Sequence, residues 1–117
     1  MSDANSQEES TPNRVSDVGG AEFDRKLIEA VQNGDQRAFG QLIRAYQKRL
    51  FRFVHGILGS FDATEDVVQE AFVRAYNNIG KFRAGEPFYP WLSTIARNLS
   101  YNQIRKEEKK THSHRSR

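Results

Sequence analysis

A long run of apolar residues at helical spacing in residues 36–58 constrains the fold more than any other feature. Its apolar side chains recur at steps of one, three and four residues, which places them on one broad face of an α-helix. These residues are Phe39, Leu42, Ile43, Tyr46, Leu50, Phe53, Val54, Ile57 and Leu58. Since such a face is stable only when other elements cover it, the chain must build a helical core around this segment.

Three further helices are predicted around it. The first begins near Phe23 and ends at Asn33-Gly34, after which Asp35 can cap the long helix. The third is expected to start at Asp62, with Asp62 as N-cap and Glu65 three residues later, and to end at Gly80. Its expected buried residues are Val67, Val68, Ala71, Phe72, Ala75, Tyr76 and Ile79.

The fourth predicted helix runs from about Trp91 to about Lys110, with Pro90 in its first turn. No segment alternates with the two-residue period of a strand. The fold class is therefore all-α, a compact bundle of about four helices.

Composition sets the domain limits and the compartment. Residues 1–21 are polar and acidic and are expected to be a disordered tail, residues 22–110 form the helical domain, and residues 111–117 begin a linker or end the chain. There is no Cys, which excludes disulfides and Cys-based zinc sites. No apolar run approaches the roughly 20 residues that span a bilayer, so no membrane insertion and a cytoplasmic location are expected.

The charge is distributed unevenly along the chain. Residues 1–22 carry five acidic side chains and one basic one, whereas residues 105–117 carry six basic side chains and two acidic ones. A basic C-terminal side suggests a nucleic-acid partner, although solvated tails would give the same pattern.

The stretch "KFRAGEPFYPWL" at residues 81–92, called here the aromatic segment, places four aromatic rings among Gly and Pro residues. Lys81 and Arg83 accompany these rings. Cations interleaved with aromatics suit single-stranded nucleic acid, since each stacked base contributes about 1–3 kcal/mol. Phe82 and part of Trp91 are expected to anchor the segment in the core, while Phe88, Tyr89 and the basic residues face a strand.

The fourth helix carries a second, polar face beside its apolar one. At 100° per residue, Leu92, Ile95, Ala96 and Leu99 form the apolar stripe. A separate stripe, called here the polar stripe, contains Thr94, Arg97, Asn98, Tyr101 and Arg105, with Trp91 at its border. These groups can stack on bases, read base edges and hold phosphates, which favours a nucleic-acid interface over a merely solvated face.

The third helix has an exposed pattern of its own, called here the acidic face, made of Asp66, Gln69, Glu70, Val73 and Asn77. Carboxylates and amides of this kind do not bind phosphate, so a partner would be a basic protein surface. From the residues alone, the favoured interpretation is a plain solvated face with an ordinary Glu70–Arg74 pair.

Catalysis and metal binding find little support. His55 is expected to be a packed or half-buried residue of the second helix, and no metal-ligand pair or phosphate-cradling glycine loop is present. We therefore expect no enzyme activity, no metal and no cofactor.

Two motifs together resemble a known family. "DATEDVVQEAFVRAYNNIGKF" (62–82) followed by "FYPWLSTIARN" (88–98) is similar to region 2 of bacterial sigma factors of the extracytoplasmic-function (ECF) group, and "AVQNGDQRAFGQLIRAYQKRLFRF" (30–53) resembles the start of that domain. The resemblance covers about residues 22–110.

The resemblance implies two binding surfaces. Asp66, Gln69 and Glu70 fall where the family contacts the clamp helices of the largest subunit of core RNA polymerase. The aromatic segment and the following helix fall where the family melts the minus-ten promoter element, reads the single-stranded non-template strand and flips a base into a pocket. By position this implicates Lys81, Phe82, Arg83, Phe88, Tyr89, Trp91, Asn98 and Tyr101.

The resemblance also implies an anti-sigma factor as a partner and a following region 4 that reads the minus-thirty-five element. Here the chain ends at Arg117, where the linker to region 4 would begin. The alternative to a promoter-recognition module is a helical protein-interaction module that does not read DNA.

Overall fold

The fold was analysed in a computed structural model, which describes the backbone of residues 21–115 and the side chains of residues 21–110. The expected disorder of the N-terminal tail concerns residues outside this range, apart from Ala21. Four α-helices follow one another: α1 (Ala21–Gln32), α2 (Gln36–Leu58), α3 (Phe61–Asn78) and α4 (Phe88–Arg115). A 3₁₀ turn, Ile79–Lys81, follows α3. The described residues contain no strand, so the all-α prediction is confirmed.

The end of α1 and the start of α2 follow the predicted local signals. Gly34 adopts φ 101°, and the Asp35 side chain accepts a hydrogen bond from the Arg37 N–H at 3.1 Å. At the other end of α2, Gly59 adopts φ 73° and its N–H donates to the His55 carbonyl at 2.8 Å. Left-handed backbone at these two positions is accessible to glycine without a Cβ clash, so the chain turns sharply at both.

The predicted cap of α3 is wrong. Ser60, not Asp62, occupies the N-cap position with extended backbone, and its hydroxyl accepts a hydrogen bond from the Ala63 N–H at 3.2 Å. The Ser60 carbonyl also accepts from the Thr64 hydroxyl at 2.6 Å. Asp62 lies inside the first turn, where its charge can still favour the positive end of the helix.

Helix α4 begins earlier and extends further than predicted. It starts at Phe88, so Phe88 and Tyr89 belong to its first turn, as does Pro90. Its backbone continues helically to Arg115, past the expected end near Lys110. The early start fixes where the two aromatic rings point, because a helical first turn leaves them far less freedom than a loop would.

The core lies where α1, α3 and α4 cover the apolar face of α2. Apolar residues that are at most 2% exposed come from all four helices; they are Ile28, Ala38, Leu42, Leu50, Val54, Ala71, Ala75, Phe88, Leu92 and Ala96. Two residues expected in the core, Phe53 and Tyr76, are instead 37% exposed. His55 is also exposed, although its ring stacks on Phe51 at 6.0 Å. These three side chains lie at the margins of the apolar faces, where coverage by the neighbouring helices is incomplete.

The α3 cap can be tested by substitution and salt. Ser60→Ala should lower the free energy of unfolding by about 1 kcal/mol, because it leaves the Ala63 N–H without its acceptor. Asp62→Asn should cost about 0.3–1 kcal/mol at low ionic strength only, since salt screens its interaction with the helix dipole. Urea unfolding in low and high salt measures both. A Ser60→Ala loss that vanishes in high salt would contradict this assignment.

Candidate nucleic-acid and protein interfaces

The aromatic segment is held by a cluster of rings. Phe82 lies 4.6 Å from Trp91 and 6.0 Å from Phe88, and Phe88 lies 5.8 Å from Trp91, all between ring centroids. Phe82 and Trp91 are half-buried, as expected for anchors. The tilted and edge-on arrangements are the ones that aromatic pairs prefer, so the cluster stabilises the entry into α4.

The expectation that Phe88 faces a bound strand is wrong for this structure. Its side chain is 1% exposed and is the largest of the fully buried side chains. It packs against Tyr46 of α2 at 5.7 Å. The position of Phe88 in the first turn of α4 directs its ring into the core, and the Gly and Pro residues before it give no indication of this.

Tyr89 is half-buried and lies between the core and the surface. Its ring stacks on Tyr46 at 5.5 Å with an interplanar angle of 25°, and the Arg49 guanidinium carbon lies 3.9 Å from its centroid. Burial raises the pKa of the Tyr89 hydroxyl, and the positive charges of Arg49 and Arg52 oppose that effect. Arg49 was not among the predicted site residues, yet the fold brings it to the aromatic segment.

The remaining predicted nucleic-acid residues lie on exposed surface. Lys81 and Arg83 are exposed before α4, and the residues of the polar stripe are all exposed along it. Tyr101 is 46% exposed, and neither its hydroxyl nor the Asn98 amide hydrogen-bonds to another described side chain. The Thr94 hydroxyl donates to the Pro90 carbonyl at 2.9 Å. Asn98 and Tyr101 therefore offer an amide and an aromatic ring that a partner can contact.

The acidic face is exposed on α3. Asp66, Gln69, Glu70, Val73 and Asn77 all point to solvent, and Val73 is 50% exposed. Glu70 pairs with Arg74 at 3.0 Å, the predicted i, i+4 pair. An ion pair this exposed contributes little to stability, which leaves the carboxylate available to a partner.

An apolar groove that the sequence did not indicate lies beside the acidic face. It runs between α2 and α3, has a volume of about 930 Å³ and has Asp66, Gln69 and Val73 along its wall. Its apolar lining is Phe39, Ile43, Phe51, Val68, Phe72, Val73 and Tyr76. Tyr76, which was expected in the core, lines this groove and is 37% exposed. Apolar lining with a charged margin is typical of a protein-binding surface.

A buried polar pair, Asp24 and Tyr46, connects α1 to α2. Asp24 is 5% exposed, and its carboxylate accepts a hydrogen bond from the Tyr46 hydroxyl. Asp24 Oδ1 has no hydrogen-bond partner among the described residues. Burial raises the pKa of Asp24, with the Tyr46 hydrogen bond opposing it, and burial together with Asp24 raises the pKa of Tyr46 well above its ordinary value.

Two absences hold for the part of the chain that the structure describes. None of its helices has the length and hydrophobicity to cross a membrane. No three His, Asp or Glu side chains in residues 21–110 lie in an arrangement that could hold a metal ion.

The family follows from comparison with known proteins. The family model for sigma-70 region 2 matches residues 42–110. The chain belongs to the sigma-70 region 2 family. Its relatives place it in the ECF group: ECF RNA polymerase sigma factor SigW of Bacillus subtilis is 39% identical over 84 residues, 72% of this chain and 45% of SigW. The ECF sigma-E factor of Escherichia coli is 43% identical over 81 residues, 69% of this chain and 42% of that protein. The chain thus spans a little under half the length of these relatives.

Two solved structures share the fold of this sigma region 2 domain. An engineered region 2 of sigmaE, solved in complex with GTAAAA, aligns with a TM-score of 0.70 and 38% identity, covering 74% of this chain and 90% of that one. CnrH, solved in complex with the cytosolic domain of CnrY, aligns with a TM-score of 0.65 and 32% identity, covering 71% and 53%.

The buried Asp24 carboxyl predicts a pH dependence of stability. Because its pKa is raised on folding, the neutral form is favoured in the fold, and this stabilisation is present at low pH and lost as pH rises through the folded pKa. Asp24→Asn stays neutral and should gain stability relative to the native protein as pH rises above 3.8, the ordinary pKa of an Asp carboxyl. Urea unfolding at several pH values measures the difference. Asp62→Asn, which removes an exposed carboxylate, is the control, and parallel profiles for Asp24→Asn and the native protein would contradict the assignment.

Proposed function

We propose that this domain serves in transcription initiation by docking on core RNA polymerase and capturing unpaired bases of the promoter minus-ten element. The observation that carries the proposal is the exposure of Lys81, Arg83 and the polar stripe of α4. The stripe combines cations, an amide and an aromatic ring along one side of a helix, the groups that bind single-stranded nucleic acid. The similar fold of engineered sigmaE region 2, which was solved with GTAAAA, supports it.

In this proposal the rings have different tasks. Phe82, Phe88 and Trp91 hold the shape of the aromatic segment, and the exposed edge of Trp91 borders the captured base. Tyr101 is the exposed stacking ring, Asn98 reads a base edge, and Lys81, Arg83, Arg97 and Arg105 bind phosphates. Arg49 covers part of the Tyr89 ring, so a base can stack there only when Arg49 moves away. We expect Arg49 to move toward a phosphate when a strand binds. Stacking and charge are sufficient for capture, and no cofactor or metal takes part.

The acidic face is the proposed polymerase contact. Asp66, Gln69 and Glu70 are exposed and would meet basic groups of the clamp helices, while Val73 and Asn77 extend the surface along α3. The neighbouring apolar groove would bury apolar side chains of the same partner. We place this activity in the cytoplasm, where polymerase and promoter are found, and expect an anti-sigma factor to compete for one of these surfaces.

A second candidate is a protein-interaction module without DNA binding. The apolar groove favours it, as does the similarity to CnrH, which was solved with a protein partner. The two candidates differ in whether the polar stripe binds nucleic acid, so separate experiments on the two surfaces distinguish them.

The first experiment measures binding of a fluorescent single-stranded GTAAAA oligonucleotide by anisotropy at several salt concentrations. Affinity should fall as salt rises, and Tyr101→Ala should weaken it by about 1–3 kcal/mol, the contribution of one stacked base. Tyr101→Phe keeps the ring and should bind nearly as well as the native domain. Gln41→Ala, on exposed α2 surface, is the control. Binding that is insensitive both to salt and to Tyr101→Ala would contradict DNA capture.

The second experiment tests capture by core RNA polymerase. Asp66→Lys and Glu70→Lys should each reduce co-purification with polymerase several-fold, because they place like charge against a basic partner. Glu22→Lys reverses charge at an exposed position of α1 and should leave capture unchanged. Circular dichroism checks that all three remain folded. If Asp66→Lys and Glu70→Lys are retained as well as Glu22→Lys, the docking surface is elsewhere.

A further inference from the structure

One exposed side chain of α1 contacts the chain at the N-terminal end of the aromatic segment. The Gln32 Nε2 group donates hydrogen bonds to the Ile79 carbonyl at 2.8 Å and to the Phe82 carbonyl at 2.7 Å. The Ile79 carbonyl also accepts from the Phe82 N–H at 3.1 Å, which closes the 3₁₀ turn. Both amide hydrogens of Gln32 are therefore used to hold the backbone where the aromatic segment leaves α3.

Helix α1 also supports the other end, where the aromatic segment enters α4. Asp24 accepts the hydrogen bond of the Tyr46 hydroxyl, and Tyr46 is 8% exposed. The Tyr46 ring packs against Phe88 and stacks on Tyr89. The hydrogen bond restrains the orientation of the Tyr46 ring, and the first turn of α4 packs against that ring.

Between these two ends the chain has little regular structure of its own. Residues 82–87 form no helix, although the Glu86 N–H donates to the Arg83 carbonyl at 2.9 Å. A segment of this kind loses conformational entropy when it binds a ligand, unless its ends are already fixed. Gln32 is exposed, so burial does not force its hydrogen bonds; they specifically attach α1 to the segment.

We propose that α1 positions the aromatic segment for strand capture, and we call this role of α1 the brace. Gln32 holds the N-terminal end of the segment, and the Asp24–Tyr46 pair supports its C-terminal end, where α4 begins. The inference rests on the proposed function and extends it to a helix that precedes the range matched by the family model. None of the three residues is required to touch the nucleic acid. They are positioning residues, which act through the backbone of Phe82 and the rings of Phe88 and Tyr89.

The test uses variants that remove hydrogen-bonding groups and keep side-chain size. Gln32→Met removes the two donors, and Tyr46→Phe removes only the hydroxyl while keeping the ring that carries Phe88 and Tyr89. Each should weaken binding of single-stranded GTAAAA about fivefold or more, since a hydrogen bond contributes about 1 kcal/mol. Gln41→Ala is again the surface control.

Two further measurements separate positioning from a general loss of structure. Trp91 is the only tryptophan of the chain and packs on Phe82 and Phe88, so its fluorescence reports on the aromatic segment alone. Gln32→Met and Tyr46→Phe should make Trp91 more accessible to acrylamide quenching. Both should still co-purify with core polymerase, because the acidic face of α3 is unchanged.

Each outcome has a distinct meaning. Reduced GTAAAA binding and increased Trp91 quenching, with polymerase capture retained, support the brace. If the native domain binds GTAAAA and Gln32→Met and Tyr46→Phe bind it equally well, the brace is wrong while the proposed function stands. If the native domain itself fails to bind any single-stranded oligonucleotide, alone or with polymerase, the proposed DNA capture is wrong and the brace falls with it.

Discussion

The burial of Phe88 is the interaction on which the arrangement of the aromatic segment depends. One ring contacts Tyr46 of α2, Phe82 before α4 and Trp91 within α4, so it joins three parts of the chain at one point. Burying a side chain of this size contributes about 1.5–3 kcal/mol. With Phe88 in the core, the direction of α4 is set, and the exposed side of that helix becomes a defined surface.

The helices could be predicted from the sequence because their signals are local. Asn33-Gly34 and Asp35 act within a few residues of their own positions, and the structure confirms both. The α3 cap failed because Ser60 and Asp62 are both good capping residues, and the turn at Gly59 brings the chain into helical geometry at Phe61, before Asp62. Periodicity likewise identified the buried faces of the helices. It could not show that Tyr76 lies at the margin of such a face, where neighbouring helices no longer cover it.

The candidate surfaces likewise contain some features that the sequence predicts and others that it does not. The exposure of the polar stripe and of the acidic face follows from the angular positions of residues on a helix, which sequence spacing contains. The inward position of Phe88, the Arg49–Tyr89 contact and the Gln32 hydrogen bonds arise from helices meeting in three dimensions. Gln32 bonds to carbonyls 47 and 50 residues away, and no spacing rule reaches that far. What each surface binds is a chemical question that exposure alone does not answer, so both assignments stay predictions.

The separation in sequence between Gln32 and its two carbonyl partners has a consequence for assembly. Helices α2 and α3 are joined through Gly59 and Ser60 alone, so their pairing closes almost no loop. The contacts of α1 with the aromatic segment close a loop of nearly fifty residues, and the entropy cost of closure grows with the logarithm of loop length. Contacts of this kind form late and open early, since regions held by few long-range bonds have low local stability. The attachment of α1 to the aromatic segment is thus the part of the domain that can loosen while the α2–α3 hairpin stays intact.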